Sequence, residues 1–316
     1  MAVIELIVPN LAASSAGNSV TADRYEKLFN AVGHATTSVA QPSGNADVVV
    51  ALNAYRSAST ISALDGDVPL VVVLTGTDIY RFIDEDPARV RSSLNRADRL
   101  VGLNDCVGDV LTSEDRAKLT VIKEGAIRGL PRQPNPEGFE VVVVGHLRDE
   151  KDPKLVAEAV AGLGPESTVQ VQHYGDAYTD EWAGWARDET ASNPRWSWQG
   201  VRPRHEIDEV YATSRLLINS SRVEGGANVI SEAVAASLPI LASEIPGNVG
   251  VLGPTYPGYF TPGDAAALRA ELHRISTNHS RLAELAAAVE SLQPEFTEER
   301  EQQHWAGLLA ELDTGR

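Results

Sequence analysis

The chain has 316 residues, 43% of them hydrophobic, which at roughly 150 residues per domain predicts two globular domains with ample cores. Lys and Arg number 27 against 44 for Asp and Glu, giving a formal charge of -17 at pH 7. This balance argues against sequence-independent binding to nucleic acid or to an anionic membrane. If the protein binds phosphates, a few Lys, Arg or backbone amides must hold them locally.

The cellular location is predicted from the single cysteine and from the N-terminal sequence. Cys106 has no partner for an intramolecular disulfide, which suits a reducing cytosol, and its neighbours (LNDCVGD) do not indicate an activated thiolate. The N-terminal MAVIELIVPN lacks the basic region and the length of a signal peptide, and no run approaches the ~20 apolar residues of a membrane span. We therefore expect a cytoplasmic protein with no membrane partner.

The first half of the chain alternates between apolar runs and helical patterns. Strands are predicted at residues 2–8, 47–52, 70–74, 98–103 and 119–123, and this alternation indicates a parallel sheet covered on both faces. The first helix is expected to begin near Asn18 or Ser19. Gly17 and Asn18 either have a structural role at the start of this helix or lie at the edge of the sheet where ligands bind.

A domain boundary is predicted at residues 124–138, EGAIRGLPRQPNPEG, which are rich in Pro and Gly and have no apolar period. We therefore expect a first domain at residues 1–130 and a second at 131–296, followed by a terminal helix at 297–313. In the second domain a strand is expected from Phe139, and residues 244–264 are expected to be loop-rich. The other predicted strands of this domain are 168–173, 196–200, 216–219 and 239–242.

The stretch at residues 218–242, INSSRVEGGANVISEAVAASLPILA, predicts a strand, a loop, a helix and a second strand. Glu224 and Glu232 are separated by seven residues, and Gly225, Gly226 and Ala227 leave the backbone uncovered where the helix begins. Bare N–H groups at a helix start bind anions such as phosphate. A carboxylate two turns into the helix could accept hydrogen bonds from a pair of hydroxyls. The alternative is an ordinary strand–helix–strand crossover with two solvated carboxylates.

This spacing resembles the glutamate-seven-glutamate motif of retaining, nucleotide-sugar-dependent glycosyltransferases. The resemblance implies an α/β protein of the GT-B type, with two Rossmann-like, doubly wound parallel-sheet domains facing across a cleft and a last helix crossing back to the first domain. It further implies that Glu232 binds the ribose, that the backbone from Gly226 to Val229 holds the diphosphate, and that Glu224 faces the donor sugar. Asn228 either caps the helix or touches the phosphate. The nucleotide sugar is a substrate, and no cofactor or metal motif is present.

A second cluster, GHLRDEKDP, occupies residues 145–153. In the family the matching turn carries an Arg and then a Lys five residues later; here Lys151 matches the Lys, and His146 stands at the Arg position. Lys151 would stabilise the departing nucleotide, unless it is only a solvated charge near a helix start. Arg148 substitutes for the missing Arg, or His146 has a different role. Glu224, Lys151 and His146 are the catalytic candidates.

The acceptor is expected to bind to the first domain, at the carboxyl edge of its sheet. The TGTD sequence after residues 70–74 offers hydroxyls and an open backbone, which suits a small anion. Thr75 and Asp78 could instead cap the following turn. The candidate acceptor-binding residues are Gly17, Asn18, Thr21, Arg56, Thr75, Gly76, Thr77 and Asp78.

A narrower resemblance runs through the whole chain in order. It is carried by GNSVTA, LTGTDIYR, GHLRDEKDP, SSRVEGGANVISEAVAASLPILAS, IPGNVGVLGPTYPGYF and a last helix that contains Trp. Together these segments resemble the selenosugar-forming branch of these glycosyltransferases, the selenosugar synthases of selenoneine biosynthesis. The resemblance implies UDP-N-acetylglucosamine as donor, selenophosphate as the selenium source and 1-seleno-N-acetylglucosamine as product.

The expected chemistry is consistent with this resemblance. Selenophosphate is already anionic and soft at neutral pH, so no general base is required, and no residue stands out as one. Two alternatives remain open, namely an ordinary glycosyltransferase that acts on a hydroxyl acceptor and a catalytically silent nucleotide-sugar-binding protein. The sequence does not determine the oligomeric state.

Overall fold

The computed structural model describes residues 1–9, 11 and 17–313, and in the last of these ranges it describes the side chains of residues 21–312. The chain divides into two compact units. The first unit contains the chain up to Glu124, the short segment Val223–Gly226 and the segment that begins at Glu298. The second unit contains Gly125–Arg222 and Ala227–Thr297.

The first unit is built on a six-stranded parallel sheet with the order β2-β1-β3-β4-β5-β6. Every residue of β3 and β4 is buried, because a parallel sheet with both faces covered requires apolar side chains on both sides of each strand. β2 has the sequence ATTSV, which is too polar to stand out as an apolar run. The strands are β1 (Val3–Ile7), β2 (Ala35–Val39), β3 (Val48–Leu52), β4 (Leu70–Leu74), β5 (Arg99–Gly102) and β6 (Leu119–Val121).

Helices follow the strands of this sheet and cover its two faces. Their bounds are α1 (Gly17–Ala31), α2 (Ala58–Ser62), α3 (Ile83–Glu85), α4 (Pro87–Arg96) and α5 (Ser113–Ala117), with a π-helix at Asp78–Phe82 and a 3-10 helix at Val107–Val110. Along β3, Val48 and Val50 pack into one apolar layer while Val49 packs into the other. This alternation is the period of two that a strand imposes.

The second unit contains a second six-stranded parallel sheet, with the order β12-β11-β10-β7-β8-β9. Its strands are β7 (Phe139–Val144), β8 (Val169–Tyr174), β9 (Trp196–Gly200), β10 (Leu216–Asn219), β11 (Ile240–Ser243) and β12 (Tyr259–Phe260). Its helices are α6 (Pro153–Ala161), α7 (Asp180–Ser192), α8 (Arg204–Thr213), α9 (Asn228–Ala235), α10 (Pro246–Leu252), α11 (Ala265–Thr277) and α12 (His279–Leu292), with 3-10 helices at Asp149–Lys151 and Gln293–Glu295.

The helix α10 lies in the segment that was expected to be loop-rich. Pro246 occupies its first turn, where proline costs no hydrogen bond because the N–H it lacks has no partner within a helix. The amide of Asn248, which is fully buried, donates to Ser243 O at 2.9 Å. Proline and glycine, which indicated a loop in the sequence, here mark the start of a short buried helix.

Each sheet reverses its strand order once. In the first sheet the reversal falls between β1 and β3, and in the second it falls between β10 and β7. Ligands of open parallel sheets bind outside the carboxyl ends of the strands at such a reversal. Ligand sites are therefore expected at the turns after β1 and β3 in the first unit and after β7 and β10 in the second.

The last helix, α13 (Glu298–Asp313), belongs to the first unit, which confirms the expectation that it returns there. Trp305 is fully buried, and its ring meets those of Tyr25 and Phe29 edge-on at centroid distances of 5.0 and 4.9 Å. These aromatic pairs make the helix part of one apolar layer of the first sheet.

Replacing Trp305 by Ala should lower the free energy of unfolding by about 3–5 kcal/mol, because the side chain leaves a large cavity in this layer. His304→Ala, at the neighbouring exposed position, should change it by less than about 0.5 kcal/mol. Urea unfolding curves of the two variants test this. Equal midpoints for Trp305→Ala and the unsubstituted protein would show that α13 is not part of the core.

Candidate functional site

The turns after β7 and β10 are joined by hydrogen bonds in the second unit. Ser220 Oγ donates to Lys151 O at 2.8 Å, and Arg222 N donates to Glu150 O at 2.8 Å. Arg222 Nε pairs with Asp152 Oδ2 at 2.8 Å, and Asp152 adopts the left-handed conformation, with φ +48°. These contacts fix the position of Lys151 at the reversal of the sheet.

Lys151 packs along Gly145, the glycine that directly follows the strand β7. Its side chain is half-buried, and its Cδ lies 3.6 Å from the place where a Cβ of Gly145 would stand. The turn at residues 145–153 therefore places Lys151, the predicted donor-binding lysine, at the carboxyl edge of the sheet. Arg148, the proposed substitute for the missing family Arg, lies in the same turn, with its Nε 3.8 Å from Glu150 Oε2.

A buried histidine that the sequence analysis missed supports this turn. His173 is fully buried at the end of β8, and its Nε2 donates to Gly145 O at 2.9 Å. Burial, which outweighs this hydrogen bond, lowers the pKa of His173 to about 4, so the ring is neutral at physiological pH. Its only signal in the sequence is a histidine near the end of the strand VQVQHY, after an alternation of Val and Gln.

His146, which stands at the position of the usual family Arg, has a defined partner. Asp176 N donates to His146 Nδ1 at 3.1 Å. A neutral His146 therefore carries its proton on Nε2, since Nδ1 must accept. The contact ties the turn after β7 to the turn after β8.

The helix α9 begins without a side-chain cap. Ala227 occupies the capping position, and Ile230 N donates to its carbonyl oxygen at 2.7 Å. Asn228 does not cap, and its Oδ1 is buried with no hydrogen-bond partner among the residues that the structure describes. Val229, in the same first turn, is half-buried. The uncapped first turn of an eight-residue helix suits an anion.

Glu232, the predicted ribose-binding carboxylate, is held by two side chains from α8. Tyr211 donates its hydroxyl to Glu232 Oε2 at 2.8 Å, and Arg204 forms an ion pair with Oε1. Burial raises the pKa of Glu232, and the charge of Arg204 and the hydroxyl of Tyr211 partly offset that effect. Each oxygen keeps one further lone pair, so hydroxyls can still bind. Nothing in the sequence pattern indicated either partner.

The segment Val223–Gly226 groups with the first unit, although the predicted boundary kept it in the second domain. Within that unit the backbone of Gly225 lies against Gly76, which has φ +109°. A Cβ on Gly76 would stand 2.2 Å from Gly225 N, and a Cβ on Gly225 would stand 2.2 Å from Thr75 C. Asn104 Nδ2 also donates to Gly225 O. Both glycines are therefore required by a close approach of two backbones.

Glu224 and Gly226, the two other residues of this segment that were predicted to bind the donor, have little open space around them. Glu224 is 8% exposed. A Cβ on Gly226 would stand 2.7 Å from Leu103 Cβ and 3.3 Å from Glu124 Oε2. Their assignment to the donor stays a prediction.

The reversal of the first sheet forms an open pocket of about 470 Å³. Arg56, a predicted acceptor residue, lines it together with Arg89, Tyr55 and Phe82. Arg89 Nε donates to Tyr55 O at 2.9 Å, and its guanidinium lies 4.4 Å from the Tyr55 ring centroid. Among the described residues neither arginine is paired with a carboxylate. The pocket therefore suits an anion.

The loop after β4 presents two hydroxyls whose oxygens are already engaged. Asn53, 1% exposed and at φ +67°, donates from Nδ2 to Thr75 Oγ1 at 2.8 Å and to Thr77 Oγ1 at 3.2 Å. Both threonines are half-buried. Because each oxygen accepts from Asn53, each hydroxyl proton remains available to a ligand. Asn53 is a supporting residue that the sequence analysis did not identify.

Asp78 supports the same loop from inside. Its carboxylate is fully buried and accepts from Ala54 N and Gly76 N, each at 2.8 Å, and from Thr75 N and Ile79 N at longer range. Burial raises the pKa of Asp78, and these backbone hydrogen bonds oppose the shift. The loop itself uses the carboxylate, so any effect of Asp78 on an acceptor would act through the shape of the loop.

The remaining acceptor candidates lie in α1. Gly17 and Asn18 form part of its first turn, and the side chain of Asn18 lies outside the described part of the structure. Thr21 is buried, and its Oγ1 donates to Glu124 Oε1 at 3.5 Å. Its hydroxyl therefore points toward a buried carboxylate.

The described residues also bear on three further possibilities, namely a reactive cysteine, a metal site and a membrane-spanning helix. Burial, with the nearby Asp109 and Asp105, raises the pKa of the Cys106 thiol, which disfavours a thiolate. Within the described ranges no group of three or more His, Cys, Asp or Glu residues is placed to hold a metal ion. None of the helices in those ranges is long and apolar enough to cross a membrane.

The two doubly wound parallel sheets define an α/β fold in which ligands bind at the reversals of strand order. Residues 131–291, more than half of the chain, match the family model of the group 1 glycosyl transferases. The chain therefore belongs to this glycosyltransferase family.

Solved structures show the same fold. Anabaena HepE in complex with UDP-glucose is 16% identical, with 98% of this chain and 100% of that chain covered and a TM-score of 0.76. The sucrose-phosphate synthase of Thermosynechococcus elongatus is 14% identical, with 99% of each chain covered and a TM-score of 0.81. The pneumococcal O-GlcNAc transferase GtfA, in complex with UDP and GlcNAc, is 16% identical, with 84% of this chain and 57% of that chain covered and a TM-score of 0.60. None of the curated proteins matches this sequence. These likenesses confirm the GT-B fold.

The neutral state of His173 predicts a pH dependence of stability. Its pKa is about 4 in the folded protein and about 6.5 in an unfolded chain, so only the unfolded state gains a proton as the pH falls from about 6.5 to about 4. The free energy of unfolding should therefore decrease over that window, by up to about 3 kcal/mol from this group.

His173→Gln keeps a donor for Gly145 O but cannot titrate, so its unfolding free energy should fall less over the same window. His205→Gln, at an exposed position, is the matched control and should follow the unsubstituted protein. Denaturant unfolding at several pH values from 7 to 4 measures the difference. Parallel curves for His173→Gln and the unsubstituted protein would contradict the assignment of a neutral buried ring.

Proposed function

We propose that this protein transfers N-acetylglucosamine from UDP-N-acetylglucosamine to selenophosphate and so forms a carbon–selenium bond. The observation that carries the proposal is the chemistry of the first unit at its sheet reversal. Two arginines line a pocket there, and on the loop after β4 Thr75 and Thr77 present hydroxyl protons beside Asn53, which directly follows β3. Among the described residues that line this pocket there is no Asp, Glu or His.

An anionic acceptor fits that chemistry better than an alcohol does. A sugar hydroxyl has a high pKa and needs help to lose its proton, whereas selenophosphate is charged and nucleophilic at neutral pH, as a thiolate is. Guanidinium groups and hydroxyl donors bind and orient such an anion. The pocket supplies the guanidinium groups and, among its described lining residues, no candidate base, while the loop after β4 supplies the hydroxyls of Thr75 and Thr77.

The donor side of the proposal uses the turns of the second unit. Lys151, held in place by Ser220 and the Arg222–Asp152 pair, would offset part of the charge of the diphosphate. The uncapped start of α9 would contribute N–H donors to the same group, and Glu232 would accept from the ribose hydroxyls. The family membership supports a nucleotide-sugar donor, as do the UDP-glucose in HepE and the UDP and GlcNAc in GtfA.

In the proposed reaction the selenium atom attacks the anomeric carbon of the sugar. The bond from that carbon to the phosphate oxygen of UDP breaks, and UDP leaves with the electron pair, stabilised by Lys151. The first product is an N-acetylglucosaminyl selenophosphate ester. Water must then cleave the selenium–phosphorus bond to give the selenosugar and phosphate. The enzyme's contribution is alignment of the two substrates and stabilisation of the leaving group.

The reaction is tested by incubating the protein with UDP-N-acetylglucosamine, with and without selenophosphate. UDP release is followed, and products are identified by mass spectrometry. We expect UDP release that depends on selenophosphate, with a selenium-containing N-acetylglucosamine product. Release only with a hydroxyl acceptor would establish an ordinary O-glycosyltransferase, and tight UDP binding without turnover would establish a silent binder.

Lys151→Ala should lower kcat/KM for the donor by about two orders of magnitude, because it removes the charge proposed to stabilise the departing UDP. Lys154→Ala is the matched control, since Lys154 is exposed on α6 with its Nζ over the Trp182 ring. Steady-state rates of UDP release measure both variants. Near-normal activity in Lys151→Ala would mean that the donor site is misplaced.

Thr75→Val and Thr77→Val should each raise the KM for selenophosphate about tenfold, because each removes one hydroxyl donor. The affinity for UDP should not change. Thr75→Ser keeps the hydroxyl and should stay close to the unsubstituted protein. An unchanged KM in both valine variants, measured by acceptor titration, would place the acceptor elsewhere.

A further inference from the structure

The second unit contains another pocket, of about 280 Å³, at the amino edge of its sheet. Arg215 and Pro239 line it and directly precede β10 and β11. The candidate donor residues follow the carboxyl ends of strands of the same sheet, so this pocket lies at the opposite edge. Nothing in the proposed reaction uses it.

Two arginines meet in this pocket without a compensating charge. Arg132 and Arg215 both line it, and among the described residues neither forms an ion pair with a carboxylate. Burial, together with the positive charge of Arg215, lowers the pKa of Arg132 to about 10. The chain has a net charge of -17, yet these two guanidinium groups have no carboxylate partner among the described residues. Their mutual repulsion destabilises the folded state, and a bound anion would relieve it.

The arginines are held in place by backbone contacts that leave donors unused. Arg215 Nε and Nη2 donate to Asn135 O at 3.0 and 2.7 Å, while Nη1 makes no hydrogen bond within the described chain. Arg132 donates through Nη1 to Tyr211 O, and its Nε and Nη2 make none there. A phosphate group is a good acceptor for such unused guanidinium donors.

The rest of the pocket is partly apolar. Leu282, Ala283 and Ala286 present one face of α12, and Ser237 and the exposed His279 add polar groups at its rim. The combination suits a small molecule with a charged head and a short organic part. The volume of about 280 Å³ is near the lower limit for ligand sites, which favours a compact ligand over a nucleotide.

We propose that this pocket binds a small phosphate monoester, whose phosphate contacts Arg132 and Arg215 and whose organic part lies on the apolar face of α12. This site is separate from the proposed donor and acceptor sites. It gives the protein a second point of contact with phosphorylated metabolites.

The pocket is connected to the carboxylate proposed to bind the ribose. Arg132 donates to the carbonyl oxygen of Tyr211, and the hydroxyl of the same Tyr211 donates to Glu232. A phosphate that draws Arg132 toward itself would change the contact that holds this end of α8. The occupied pocket therefore alters the affinity for the donor nucleotide, and by thermodynamic reciprocity the nucleotide alters the affinity for the phosphate monoester.

The site is tested by calorimetric titration of the protein with glycerol 3-phosphate and, separately, with inorganic phosphate at constant ionic strength. Glycerol 3-phosphate should bind more tightly than inorganic phosphate, because its organic part adds contacts with α12. Arg132→Gln/Arg215→Gln should weaken the binding at least tenfold. Arg187→Gln is the matched control, since Arg187 is exposed on α7 of the same unit, and it should bind as the unsubstituted protein does.

His279→Glu provides a second variant in case the double substitution impairs folding. It places a carboxylate at the rim of the pocket and at the start of α12, where a negative charge is favourable for the helix. It should also weaken binding of the phosphate monoester. Equal affinity in the unsubstituted protein, the double variant and His279→Glu would overturn the site.

The connection to Glu232 is tested by measuring the Kd for UDP with and without saturating glycerol 3-phosphate. We expect a change of at least threefold in the unsubstituted protein, which is absent in the Arg132→Gln/Arg215→Gln variant. An identical change in both would indicate direct competition at the donor site and would overturn the connection, as would no change in either. A protein that binds glycerol 3-phosphate but not UDP would refute the proposed donor and leave the pocket standing.

Discussion

The proposed donor site in the second unit depends on a hydrogen-bonded junction between the turns after β7 and β10. The strand order places β10 beside β7, so two turns that are distant in the sequence meet at one edge of the sheet. Ser220 and the Arg222–Asp152 pair satisfy polar groups of both turns. Lys151 depends on this junction for its position, and the start of α9 follows from the same strand. The contacts of Glu232 with Tyr211 and Arg204 complete the proposed donor site.

Positive charge is used locally in a strongly acidic protein. In the second unit Lys151 lies on a turn that His173 supports in its neutral form, and Glu232 stays compatible with burial because Arg204 and Tyr211 hold it. In the first unit Asn53 engages the oxygens of Thr75 and Thr77, which leaves their protons for a ligand. Both arrangements suit the binding and orientation of anions. Neither supplies an evident base, which agrees with an acceptor that is already charged.

The sequence predicted much of the fold because buried parallel strands are continuous apolar runs, such as VVVAL and LVVVL. It also predicted the turn that carries Lys151 and the helix that carries Glu232, because these are local patterns. It could not reveal Tyr211, Arg204 or Asn53 as partners, since those contacts join elements that only the fold brings together. The helix α10 was missed because Pro246 and Gly247 serve equally in loops and in first turns of helices. The grouping of Val223–Gly226 with the first unit depends on a backbone contact at Gly76, which no local pattern encodes.

In the proposed reaction the anomeric carbon of the donor sugar becomes bonded to selenium. The most direct measurement is nuclear magnetic resonance of the reaction product made from isotopically enriched selenophosphate and from UDP-N-acetylglucosamine enriched at the anomeric carbon. We expect a one-bond carbon–selenium coupling at that carbon, which appears as UDP is released. A product whose anomeric carbon remains bonded to oxygen, with no coupling to selenium, would contradict the proposed reaction.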